Sequence, residues 1–124
     1  MKTVVKVICQ AEEKYQELLV TQQHKESRLL LKKFSFLQEC IKRDFAYGEV
    51  IKKEVLRKNK DLLNSFFRQY QYPDLIELDN CFCCDLTRTN WRMVYTIVRD
   101  AADDTRYILY FMIVDHQTYE KYFT

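Results

Sequence analysis

The sequence predicts an α+β domain, with two amphipathic helices laid against one side of a mainly antiparallel sheet. Three observations carry that reading. Val4 to Cys9 is β-branched, as a first strand should be. Residues 11 to 43 then change to a helical period. The last third returns to β patterning, in the order Cys81–Leu86, Trp91–Val98 and Tyr107–Val114, linked as a three-strand meander.

Each element has its own warrant. Ala11, Tyr15, Leu18, Leu19 and Gln22 recur at helical spacing, and Glu12 and Glu13 suit the positive end of the helix dipole. Gln22 to Glu26 turns polar and reads as a connection. Leu30, Phe34, Leu37 and Ile41 form the stripe of a second helix ending near Asp44, where Tyr47-Gly48 offers a positive-φ turn. Two such helices make an antiparallel hairpin that must bury its apolar face on the sheet. Asp61 to Tyr70 reads as a short helix capped by Asn59 or Asp61, and Pro73-Asp74 breaks it. In the Cys81–Leu86 strand, Phe82, Cys84 and Leu86 share one face; Cys81, Cys83 and Asp85 share the other. Thr87 to Asn90 is a connection. Trp91, Met93, Tyr95 and Ile97 alternate with Arg92, Val94, Thr96 and Val98. Arg99 to Thr105 is a hairpin loop. Tyr107 to Val114 is nearly continuous apolar sequence, as in a strand buried on both faces. His116 to Phe123 forms a short helical or irregular tail.

Bulk properties bound the rest. A chain of 124 residues, 48% hydrophobic and 15% aromatic, is one domain, 1–124, with enough apolar surface for a core. A net charge of +2 does not mark a nucleic-acid binder by itself. Lys52, Lys53, Arg57 and Lys58 nevertheless form a local basic run able to contact RNA phosphates, or else a solvated face. The VVKVIC run after Met1-Lys2-Thr3 lacks the form of a leader, and no segment approaches a membrane span, so no membrane partner is expected. Five cysteines without export signals point to reduced thiols and a cytoplasmic location. Cys81 and Cys83 share a strand face while Cys84 points away, and no second motif supplies further ligands. Neither a metal site nor any other cofactor is expected.

DLTRTNWRMVYTIVRD followed by ILYFMIVDHQTYEKYF resembles the RelE/ParE superfamily of toxin–antitoxin systems, as does the earlier FAYGEVIKKEVL. The resemblance spans nearly the whole chain. It implies a RelE-like toxin, a metal-independent endoribonuclease acting on mRNA in the ribosome and neutralised by a cognate antitoxin. Arg92 then matches the strand arginine that holds phosphate charge. His116 and Tyr119 match C-terminal residues used for proton transfer or base stacking. The chain departs from the RelE pattern at Cys83 and Asp85, where that type carries lysines. Asp85 either acts as a base or pairs with Arg92 across one sheet face, and the pair is the preferred reading. The alternative functions on the same fold are a ParE-like gyrase-inhibiting toxin and a catalytically inactive protein-binding member.

Overall fold

A computed structural model describes residues 1–72, 80–86 and 89–124. In chain order they form β1 (Lys2–Val7), α1 (Cys9–Val20), α2 (Lys25–Arg43), β2 (Glu49–Val50), α3 (Lys53–Lys58), α4 (Lys60–Gln69), β3 (Cys81–Asp85), β4 (Trp91–Asp100), β5 (Thr105–Asp115) and α5 (His116–Phe123). The strands make a single sheet in the order β1-β5-β4-β3-β2. β1 runs parallel to β5, and the other neighbours are antiparallel. The architecture is α+β, as expected, but the sheet is mixed. Side-chain alternation reports which face a residue occupies, not the direction of the neighbouring strand.

The helices cover both faces of this sheet, which corrects the expectation of a one-sided layer. On one face α1 and α2 bury Ala11, Leu18, Leu30, Phe34, Leu37 and Ile41 against Phe82, Cys84, Met93, Tyr95, Ile108 and Tyr110. On the other, α3, α4 and α5 bury Leu56, Leu63, Phe66, Phe67 and Phe123 against Cys81, Cys83, Val94, Leu109 and Phe111. The physical reason lies in β5. Leu109 to Val114 are all buried, and a strand without a polar face needs cover on two sides.

Several boundaries also differ. Val4–Cys9 is not all strand. β1 ends at Val7, because Cys9 takes a φ of 56° in the left-handed region and opens α1. Gly48 has no positive φ; it is a glycine for lack of space. A Cβ there would lie 2.9 Å from both Cε1 and the hydroxyl of Tyr95, and 3.1 Å from Cβ of Phe82. The basic run, whose form the sequence leaves open, is the short helix α3 preceded by Lys52, with Leu56 buried and Lys52, Lys53, Arg57 and Lys58 exposed. Asn59 precedes α4 without capping it. Its amide instead donates to the carbonyls of Val55 at 2.9 Å and Thr124 at 3.1 Å. The break assigned to Pro73-Asp74 lies outside the described residues.

Two features fix the part of the sheet that matters for function. β4 pairs Val94 with Met112 and Tyr95 with Tyr110, so Phe111 is an extra residue in β5. This bulge sends Phe111 and Met112 into the same core and restores the alternation that places Val114 opposite Arg92. Beyond the end of β1, the side chain of Gln10 takes over its pairing. The Gln10 amide donates to the Ile113 carbonyl at 2.9 Å and accepts from the Ile113 N–H at 2.7 Å. A side chain thus satisfies the β5 backbone where the neighbouring strand stops.

Candidate functional site

The C-terminal end of β3, the start of β4 and the β5–α5 junction meet at one end of the sheet. Asp85 is the register partner of Arg92, and Trp91 that of Asp115. The His116 N–H donates to the Asn90 carbonyl at 3.0 Å, which ties the β3–β4 turn to the start of α5. These contacts enclose a pocket of about 470 Å³ lined by Asp85, Leu86, Thr89, Asn90, Trp91, Arg92 and His116. Three of the four expected site residues therefore share one concavity: Asp85, Arg92 and His116.

Arg92 is not free. Its Nε lies 3.2 Å from Oδ1 of Asp85, and its Cζ lies 4.7 Å from the centre of the Tyr119 ring. The Asp85 side chain is 72% exposed and that of Arg92 28%. An ion pair so open to solvent contributes only about 0–1 kcal/mol. It can be exchanged for a better anion at small cost. The 3.2 Å contact is made through Nε.

Tyr119 lies beneath this pair rather than in the pocket lining. It is half-buried and packs against the core cluster that contains Cys83. Burial raises the Tyr119 phenol above its ordinary value, so the group stays protonated at neutral pH and serves as a donor. Burial also pushes the Cys83 thiol up to about 11, against the lowering effects of Tyr119 and Arg92. A thiol so held is a small buried packing group and no nucleophile.

His116 opens α5. Asp115, before it, accepts the Thr118 N–H at 2.8 Å, and that hydrogen bond holds its carboxyl below the usual carboxylate value. One turn on, Glu120 Oε1 lies 2.8 Å from Nε2 of His116. Nε2 is thereby engaged, and Nδ1 has no partner among the described residues.

Trp91 is held from two sides. Its indole N–H donates to Glu26 Oε1 at 3.2 Å, and the Lys14 ammonium stands 4.0 Å from the ring centre. In the adjoining turn the Thr89 hydroxyl bonds the Leu86 carbonyl and accepts the Trp91 N–H at 3.2 Å.

The chain matches no family model, no curated protein and no solved structure.

The basic run lies elsewhere. The Ile51 N–H bonds the Cys81 carbonyl, so Lys52 and α3 begin at the far end of β3 from Asp85. Four residues of strand at about 3.3 Å each separate the two ends by roughly 13 Å. Lys52, Lys53, Arg57 and Lys58 are not part of the pocket; they are exposed at the other end of β3. Among the described residues, no group of three or more His, Cys, Asp or Glu side chains is arranged to hold a metal ion. Nor is any helix among them long and apolar enough to cross a membrane. The five thiols are free, with Cys9, Cys81, Cys83 and Cys84 buried.

Sequence reasoning missed Trp91, Asn90 and Glu120 as parts of this site. For Glu120 the signal was present, since His116 and Glu120 stand four apart on a helix. For Trp91 the strand pattern pointed to core packing alone.

Proposed function

We propose that this chain is a RelE/ParE-like toxin whose pocket at the end of the sheet cleaves mRNA on the ribosome. The observation that carries this reading is the convergence of Asp85, Arg92 and His116, from the end of β3, the start of β4 and the start of α5, on one pocket. The reading also draws on the chain order of a strand, two helices and a closing three-strand meander, with β2, α3 and α4 lying before the meander.

Cleavage by an RNA 2′-hydroxyl forms a bond from O2′ to phosphorus and breaks the bond from phosphorus to O5′. One group accepts the 2′ proton, another returns a proton to O5′, and a cation balances charge on the phosphate. His116, with Nδ1 uncommitted, and the exposed Asp85 carboxylate supply two proton-transfer groups. The Arg92 terminal nitrogens supply the donors for phosphate. Tyr119 acts as the platform that positions Arg92. The α3 lysines and Arg57 add RNA affinity from outside the pocket. A cognate antitoxin, the ribosome and mRNA are the partners that go with this function, in the cytoplasm.

The Asp85–Arg92 pair favours a second reading, in which the same fold only binds protein, as a ParE-like gyrase inhibitor or an inactive member. Both are tested by induced expression of wild type, Arg92→Ala and His116→Ala, with growth curves and primer extension on an abundant mRNA. The nuclease reading expects arrest with new mRNA ends in the wild type and neither in the variants. Arrest without new ends sinks it in favour of the second reading. New ends in all three sink the site assignment.

A further inference from the structure

We infer that Glu120 is a positioning residue for His116: its carboxylate accepts the Nε2 proton, selects that tautomer of the neutral imidazole, and so reserves Nδ1 for proton transfer. The inference rests on the reading that His116 moves a proton in the pocket. It extends that reading to which ring nitrogen does so and what fixes the choice.

The chemistry of the contact makes the selection. Glu120 Oε1 lies 2.8 Å from Nε2 of His116, the distance of a charge-assisted hydrogen bond. An ionised carboxylate only accepts, so Nε2 carries the proton and Nδ1 the lone pair whenever the paired ring is neutral. His116 lines the pocket and Glu120 does not, so Glu120 acts on the imidazole rather than on a ligand.

The pair is held by the way α5 is anchored. Residues four apart on a helix stand on one face, and α5 carries both His116 and Glu120. Its start is fixed by the His116 N–H on the Asn90 carbonyl at 3.0 Å and by Asp115 on the Thr118 N–H at 2.8 Å. Its inner side is fixed by buried Phe123 and by Tyr119 and Tyr122, which pack on the same core. At its end the Asn59 amide donates to the Thr124 carbonyl at 3.1 Å. The fold thus sets both backbone positions, and the contact has only side-chain rotamers left to order. The neighbouring carboxylates are engaged elsewhere: Asp115 caps Thr118, and Asp85 meets Arg92 Nε at 3.2 Å. Both side chains of the pair are open to water, at 42% for His116 and 53% for Glu120. The bias on the tautomer is therefore a modest factor, far from the roughly 10⁴-fold effect of a buried carboxylate–histidine pair.

The chain has two histidines, His24 and His116, so both rings can be followed by long-range proton–nitrogen NMR of histidine-labelled protein without any need for activity. At alkaline pH, with the rings neutral, His116 should show its proton on Nε2, with a hydrogen-bonded Nε2–H resonance. Exposed His24 provides the reference. Glu120→Ala, a substitution at an exposed position, should lose that resonance and raise the Nδ1–H share of His116 by about threefold. Glu120→Gln, whose amide oxygen still accepts, should fall between the two. On programmed ribosomes Glu120→Ala should lower kcat by about three- to tenfold with KM unchanged, and Glu120→Gln should recover part of the loss. The inference is overturned if Glu120→Ala leaves the His116 tautomer ratio as it is in the wild type, or leaves kcat unchanged in a chain that cleaves. A held Nε2–H in a chain that makes no mRNA ends would remove the nuclease and keep the pairing. New mRNA ends with a tautomer ratio indifferent to Glu120 would do the reverse.

Discussion

Removing one oxygen from Tyr95 tests how the N-terminal helices are fastened to the sheet that carries the site. Tyr95 has no solvent exposure. Its hydroxyl donates to the Phe45 carbonyl at 2.9 Å and accepts the Gly48 N–H at 2.9 Å. Tyr95→Phe leaves both backbone groups without their partner. An unsatisfied buried group costs about 1–3 kcal/mol, and water reaching the exposed side of the 44–48 turn recovers part of that. A net loss of roughly 2–3 kcal/mol is expected, read as a lower urea midpoint at an unchanged slope. Gly48→Ala supplies the second leg. Its new Cβ would stand 2.9 Å from Cε1 and the hydroxyl of Tyr95, whose ring is stacked on Phe82 at 5.1 Å and 13°. Overpacking of this kind costs about 1–3 kcal/mol. In the Tyr95→Phe background one of the two close contacts is gone, so Gly48→Ala should cost less there, with a coupling of at least about 0.5 kcal/mol. A Tyr95→Phe loss below about 0.5 kcal/mol, or equal Gly48→Ala costs in both backgrounds, would refute the reasoning.

Gln10→Ala should destabilise the chain by about 1–3 kcal/mol, since it orphans the N–H and carbonyl of Ile113; chemical denaturation measures it, with accelerated amide exchange at Ile113 as the local signature. Asp115→Ala should cost about 1 kcal/mol near neutral pH through loss of the α5 cap. The folded carboxyl is held below its unfolded value of about 3.9, so its stabilisation is present above that pH and lost as pH falls through the lowered value. The difference from wild type should therefore vanish in acid melts and persist at neutral pH. Burial raises Cys83 to about 11 and both Cys9 and Cys84 to about 12. Folding keeps these thiols protonated where the unfolded chain ionises them, so stability should be intact below about pH 8.5 and fall as pH rises above it. Half-buried Cys40 should react first with a disulfide reagent at neutral pH, ahead of the four buried thiols.

Much of the fold was legible because periodicity is a local property. Leu30, Phe34, Leu37 and Ile41 describe one face of α2 whatever they pack against, and all four are buried. The alternation of Trp91 to Val98 likewise gave the two faces of β4 correctly. Strand direction was not legible, since β1 reads the same whether it pairs parallel or antiparallel with β5. The second helical layer had left a signal: Tyr107 to Val114 has no polar face, which is incompatible with a sheet covered on one side. α3 escaped because Val50, Ile51, Val55 and Leu56 follow no single period; they serve a two-residue strand, a connection and a one-turn helix in succession. At the site, the contact between Asp85 and Arg92 was legible as a cross-strand pair. The pinning of Trp91 by Lys14 and Glu26 was not, because it depends on where α1 and α2 lie on the sheet.

Asp85, Arg92 and His116 are proposed above to form a site for RNA transesterification. Its most direct test is cleavage of mRNA by the purified chain on programmed ribosomes, with analysis of the new ends and with a 2′-deoxy substitution at the scissile nucleotide. The account predicts 2′,3′-cyclic phosphate and 5′-hydroxyl ends. It predicts abolition of cleavage by the 2′-deoxy nucleotide and a loss of at least about a hundredfold in His116→Ala. Cleavage that survives the 2′-deoxy substitution, or mRNA left intact by a folded protein, would contradict it.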